Sequence, residues 1–348
     1  MTKMEDLKTK VSDQIEVSNM TSTIGRASAV ALACMLGIIG TLGLIWDSEP
    51  ALFNAEKVTD QILAENKVKK VTGSTTVAVM IHVSDVLLNK RGGFLTNDIM
   101  PPGAWMDNAP NWEFGVLVQL RDMARTMRNN FSRSQSQSTE DTDLVTAENQ
   151  FYFDNNSWFL PQTESEYSKG TRALENYLLR LSNTNKTEAQ FYARADNLRI
   201  WLSEVETRLG SLSQRLSASV GKRQIDISLA GDLAASQSTA TGSDTHIKTP
   251  WMELDDIFYE ARGTTWALIH LLRAIEIDFK DILEKKNALV SLQHIIRELE
   301  PTQETLWSPI ILNGSGLGLV ANHSLVMGSH ISRANAAIID LRRLLEDG

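Results

Sequence analysis

Hydrophobic and polar positions sort into one solid apolar run and a series of helical stripes. The run is Ala27 to Trp46, twenty uncharged residues between Arg26 and Asp47. At about 1.5 Å rise per residue this makes a helix of roughly 30 Å, the hydrocarbon thickness of a bilayer. Trp46 closes it where an interfacial anchor would sit. A cleaved signal peptide would have a shorter apolar core and small residues at its cut. Here the run is longer, the 26-residue leader is long, and Phe53 stands where a small residue belongs before the candidate cut near Ala55. The run therefore reads as an uncleaved signal anchor.

The stripes follow. Residues 51–70 are charged and helix-compatible, a stalk leaving the membrane. Thr75 to Leu88 carries Val79, Val83, Val86 and Leu87 and ends in Lys90-Arg91-Gly92-Gly93, the usual signals of a helix C-terminus. Phe94 to Asn111, with three prolines, reads as a loop, and Asn111 as the cap of a helix over Trp112 to Phe131. Residues 132–141 are polar and low in complexity, a loop. Residues 151–163 are aromatic-rich but turn-laden and predict irregular structure, with room for one short strand. A helix over Glu164 to Ser182 precedes the most regular signal. Phe191, Ala195, Leu198, Leu202, Val205, Leu209, Leu212 and Leu216 alternate steps of four and three. That heptad pattern predicts a helix over 187–220, able to pair with its predecessor as an antiparallel hairpin. Residues 234–250 are Ala/Ser/Thr/Gly-rich, a linker. From Leu254 to Glu300 helical spacing continues, as one long helix or two broken near Lys285–Asn287, and Pro301 stops it. A last helix covers about Leu319 to Leu345. The fold class is all-α: one N-terminal transmembrane helix, then a multi-helix bundle with long loops. The expected organisation is a leader (1–26), an anchor (27–46), a helical region (47–233), the linker (234–250) and a helical region (251–348) packing on the same bundle.

Composition narrows the function. The chain is 42% apolar with 8 Pro and 20 Gly, so it is neither disordered nor fibrous. Its single Cys excludes an internal disulfide and a Cys-based zinc cluster. With 34 basic and 43 acidic residues it has a net charge of −9, which argues against nucleic acid as a partner. Lys3, Lys8, Lys10 and Arg26 precede the apolar run, while only Lys57 lies in the first fifteen residues after it. The positive-inside rule then puts the N-terminus in the cytoplasm and residues 47–348 outside. Within the run, Ala29, Ala33, Gly37 and Thr41 recur every four residues, a small-residue ladder along which a second copy can pack.

Chemistry-bearing motifs are sparse. Gly314-Ser315-Gly316-Leu317-Gly318 precedes a helix, but the dinucleotide fingerprint would need Gly where Leu319 stands. No two of the six histidines have i, i+4 spacing, there is no H-E-x-x-H and no G-x-S-x-G, and the carboxylate clusters suit a solvated helix face. No cofactor, metal or catalytic residue is assigned. The candidate binding residues are Trp105, Asn111 and Trp112, from the loop and the helix after it, and Asn313, Gly314, Ser315, Gly316 and His323, around the glycine turn.

The segments Asn89–Gly93, Asn111–Val116, Asn130–Asp141, Asp154–Trp158, Leu306–Pro309, Leu312–Gly316 and Ala321–Leu325 together resemble a domain-of-unknown-function family. That family comprises single-pass inner-membrane proteins of Gram-negative bacteria, with no assigned activity. The resemblance implies a periplasmic location for residues 47–348 and carries over no functional residue. The expected function is a non-enzymatic, inner-membrane-anchored scaffold or accessory subunit contacting envelope proteins. A small-ligand-binding or sensor module is the alternative, and an envelope hydrolase the third reading.

Overall fold

The computed structural model describes residues 25–134, 139–183, 188–225, 244–308, 310–315 and 318–347. Eleven helices are found among them. They are α1 (Gly25–Trp46), α2 (Ala55–Glu65), α3 (Ser74–Asn89), α4 (Asn108–Thr126), α5 (Thr142–Phe151), α6 (Thr163–Leu181), α7 (Ala195–Ser217), α8 (Leu254–Asp278), α9 (Lys280–Lys285), α10 (Leu289–Leu299) and α11 (His323–Asp347). The all-α class holds. A two-stranded antiparallel ribbon, β1 (Lys222–Ile225) with β2 (Asp244–Ile247), pairs Lys222 with Ile247. It was not expected, and β2 falls in the stretch read as a linker; residues 234–243 lie outside the described residues.

One buried cluster draws side chains from every helix from α2 to α11. Its centre is the α4–α8 crossing, where the two backbones nearly touch. A Cβ at Gly115 would stand 2.2 Å from the Glu260 carbonyl oxygen, and one at Gly263 1.9 Å from that of Trp112. Only glycine permits this approach. The helices are parallel, since Asn111 bonds Asp256 near their starts and Phe131 meets Phe279 past their ends. α3 runs the other way. Its first turn has no capping side chain of its own, because Gly73 sits at the N-cap position. Asp278, at the end of α8, caps it instead, accepting from the Thr76 N–H (2.6 Å) and hydroxyl (2.7 Å).

Several expectations need correction. Residues 55–65 are not a free stalk: α2 buries Ala55, Val58, Thr59 and Leu63 against the bundle. Asn111 is not a cap, because α4 begins a turn earlier and Asp107 accepts the Asn108 N–H. Pro110 falls in that first turn, where a missing N–H costs nothing. The helix continues to Phe131 as a π turn from Met127. Residues 142–151 form α5, which no stripe announced. The heptad helix starts at Ala195, not near Thr187, which itself lies outside the described residues. Residues 188–194 are non-helical because Phe191 packs on Phe131 and Phe279, while the Tyr192 N–H bonds the Phe131 carbonyl. Its seam packs chiefly on α11, antiparallel, with Arg342 on Glu206 and Arg199 on Glu346 (3.0 Å); α6 instead lies on α5 and α3. The stretch 254–300 breaks twice, at Phe279 and at Asn287, whose φ is +52°.

Candidate functional site

The helix directions bring one set of termini to one end of the bundle. The starts of α4, α6, α8 and α11 and the ends of α1, α3, α7 and α10 meet there. α1 stands clear of the bundle until its last turns, where Ile39, Leu42, Gly43 and Trp46 become partly covered.

The residues after Trp46 pack against the core. Glu49 receives the guanidinium of Arg262 from α8, Nε donating to both carboxylate oxygens at 2.7 and 2.8 Å. Arg262 is only 7% exposed, and its Nη1 donates to the Thr302 and Glu304 carbonyls. A buried guanidinium needs this complete set of acceptors. About one turn further along α8, Trp266 Nε1 donates to the Ala51 carbonyl (3.4 Å), and about three turns along, Arg273 donates to that of Phe53 (3.3 Å). The Phe53 ring stacks on His270 with centroids 3.5 Å apart and planes 8° from parallel, and meets His82 edge-on. His270 is fully buried and neither ring nitrogen has a hydrogen-bond partner. Burial, reinforced by Arg273 and His82, pushes its pKa down to about 2, so the ring is neutral.

A second buried ion pair fixes the loop after α3. Glu113 accepts from Lys90 Nζ (2.7 Å), the Leu95 and Thr96 N–H groups and the Thr96 hydroxyl. Burial raises the Glu113 carboxyl, and Lys90 opposes the rise. The basic-glycine tail of α3 thus wraps a carboxylate. A cleft of about 630 Å³ opens beside the Glu49 clamp, lined by Asp47, Tyr259, Arg262, Gln303, Glu304 and Leu306 among others. Burial raises the Asp47 carboxyl, and a bond from Asn108 partly offsets it.

The candidate residues from the sequence lie on either side of the start of α8. Trp105 is 67% exposed at the tip of its loop. Asn111 donates to the Asp107 carbonyl and to Asp256 Oδ1 (2.7 Å). Trp112 is buried on Trp266, with its indole N–H unpartnered. On the other side, Asn313 donates to the Ser219 carbonyl and accepts from Asn322. Gly314 is pressed on the Val320 carbonyl, Ser315 is exposed, and Gly316 lies outside the described residues. His323 opens α11; its Nδ1 accepts the Leu312 N–H (3.1 Å), its ring lies 6.3 Å from Phe258, and burial lowers its pKa. The two groups share an end of the bundle, and among the described residues none of them lines the 630 Å³ cleft. Ala29, Ala33, Gly37 and Thr41 are exposed along α1. Among the described residues no three His, Cys, Asp or Glu side chains are disposed to hold a metal ion.

Sequence reasoning missed Glu49, Phe53, Arg262 and His270. The available signal was a charge and a histidine inside the mostly apolar stretch Ala261–Leu272.

The molecule is thus an all-helical bundle headed by one helix long and apolar enough to cross a membrane. It belongs to the DUF2333 family, described as uncharacterized proteins conserved in bacteria, whose model matches residues 19–348. No curated protein and no solved structure matches the chain.

Proposed function

We propose that this protein is an uncleaved, single-span inner-membrane protein whose periplasmic bundle acts through contacts with envelope proteins, as a scaffold or accessory subunit. The observation that carries the reading is the clamp of Glu49 and Phe53 on α8. A cut near Ala55 would strip both from the core, leave Arg262 buried without its carboxylate and uncover His270. A segment with that structural duty belongs to the mature fold. It also sets the bundle in a fixed pose on α1, which suits a protein that presents surfaces rather than one that diffuses. The Lys and Arg bias of the leader supports a cytoplasmic N-terminus. Residues on both sides of 234–250 share one buried cluster, which supports a single bundle. The α7 seam lends no support to the reading, because α11 covers it.

The test is affinity purification of the full chain from native membranes after light crosslinking, with mass spectrometry of what is bound. A reproducible envelope protein is expected. Self-crosslinks alone would overturn the reading. One observation favours the ligand-binding alternative: the cleft beside the clamp has the size of a small-molecule site and is lined by Asp47 and Glu304. It would suit a small cation. Thermal stabilisation of the detergent-solubilised protein by such molecules would shift weight to it.

A further inference from the structure

The eight tryptophans divide cleanly. Trp112, Trp201 and Trp266 are core residues, no more than 1% exposed, and Trp46 ends α1. The other four are strongly exposed: Trp105 (67%), Trp158 (52%), Trp251 (69%) and Trp307 (93%). All four sit in connections at the α1 end of the bundle. Trp105 closes the loop before α4, Trp158 lies in the loop before α6, Trp251 opens the turn into α8, and Trp307 follows α10.

Named contacts tie each connection to the foot of α1. A Cβ at Gly43, one turn inside the apolar run, would meet Pro102 Cβ at 3.6 Å, so the Trp105 loop reaches below Trp46 along the helix. Asn97 of that loop donates to the Ser157 carbonyl and to Glu164 Oε2, both at 2.8 Å, which places the Trp158 loop beside it. Asn111 on Asp256 holds the start of α8 to the start of α4. Leu306 and Ser308, on either side of Trp307, line one cleft with Asp47. Other bare apolar side chains accompany them: Met100 (72%), Leu160 (81%) and Met252 (80%). At the opposite end, where Gly73, Phe131 and Phe279 converge, no tryptophan is exposed among the described residues; the bare apolar side chains there include Val290 (74%), in the first turn of α10, and the less exposed Leu179, Ile200 and Leu344.

We propose that this end of the bundle is a second membrane contact: the four exposed tryptophans and their apolar neighbours rest in the interfacial layer of the leaflet from which α1 emerges. The proposal rests on the reading of α1 as a membrane span. Tryptophan prefers that layer because its ring is apolar and its N–H needs a wet partner. The occupant is lipid because the rim is continuous with α1 and touches it a turn inside the apolar run, where hydrocarbon begins. The carboxylates of Asp47, Asp98 and Asp107 at this end disfavour anionic headgroups, so the contact is apolar, suited to neutral lipid, and insensitive to salt. The bundle then lies against the bilayer at a fixed height, held by the Glu49 clamp on one side and by the rim around it.

The test uses the full chain in phosphatidylcholine vesicles with a nitroxide read by power saturation against oxygen and an aqueous nickel chelate. Four labels are compared: native Cys34, mid-span in α1, and, in a Cys34→Ala background, Leu160→Cys and Met252→Cys, with Val290→Cys as the far-end control. All three engineered positions are exposed, so folding is not at stake. The oxygen-to-nickel ratio at Leu160→Cys and Met252→Cys is expected to lie several-fold above that at Val290→Cys and nearer that of Cys34. Ratios equal to Val290→Cys, with Cys34 still shielded, would overturn the proposal and leave the rim to a protein partner. A Cys34 label open to nickel would instead show that the span reading had failed. As a second readout, brominated phosphatidylcholine should quench intrinsic fluorescence less in a Trp105→Ser, Trp158→Ser, Trp251→Ser, Trp307→Ser variant; equal quenching counts against the proposal.

Discussion

Arg262 and Glu49 meet as a bidentate pair across 213 positions of sequence, and the pair joins the residues after the apolar helix to the longest-buried stretch of α8. The arginine has almost no exposed surface, so its charge relies on that carboxylate and two carbonyls. Arg262→Met should destabilise the protein by about 3 kcal/mol, because Glu49 is left half-buried without its partner. Replacing both, with Glu49→Leu added, should recover much of the loss, since two apolar side chains leave no stranded charge. Denaturant melts of the detergent-solubilised chain decide it. A double variant as unstable as the single one would mean that the pair does more than neutralise itself.

The stack of Phe53 on His270 has a pH consequence. An unfolded histidine takes a proton near pH 6.5, whereas the buried ring resists until about pH 2. Between those values the unfolded state binds more protons, so stability is full above about pH 6.5 and falls as pH drops. By pH 5 this group alone should remove on the order of 2 kcal/mol. His270→Phe keeps an aromatic on Phe53 and titrates nowhere in that range. Its melting temperature should fall less steeply from pH 7 to 5 than the parent's. Superimposable profiles would show that His270 is not the group responsible.

Retention of the N-terminal segment makes a mass prediction. If residues 47–53 belong to the mature fold, protein purified from a Gram-negative host should have the mass of the full chain and resist alkaline extraction from membranes. A product beginning between about residues 47 and 56 would identify α1 as a signal sequence.

Helix existence was legible along most of the chain, because burial of one face writes a 3.6-residue period into sequence. What that period omits is the identity of the covering element. The α7 stripe says that Leu198 through Leu216 are buried, and is silent on whether α6, α11 or another copy covers them. α5 escaped notice because only Leu144, Ala147 and Phe151 are buried in its ten residues, too few to stand out. Residues 51–70 looked like a stalk because their charges outnumber their anchors, though four buried side chains suffice to dock α2. The clamp was the least legible feature. Glu49 and Arg262 are ordinary residues until the fold removes water from between them, and no local spacing connects positions 213 apart.

The α4–α8 crossing offers the sharpest mechanical test. Gly263→Ala would drive a methyl to within 1.9 Å of the Trp112 carbonyl, and Gly115→Ala to within 2.2 Å of that of Glu260. Both obstacles are helix backbone, which cannot rotate aside, so the helices must separate and open the core around Trp112 and Trp266. Either change should cost about 3 kcal/mol or more, at the severe end of overpacking. Gly210, half-buried at mid-length of α7, is the control: its added Cβ meets nothing nearer than Asn335 Nδ2 at 3.6 Å. There alanine gains helix propensity, and Gly210→Ala should stabilise by about 0.5–1 kcal/mol. The three variants contain the same chemical change and differ only in what lies above the methyl. Equal effects at all three positions would contradict the close crossing on which the placement of Arg262 and His270 depends.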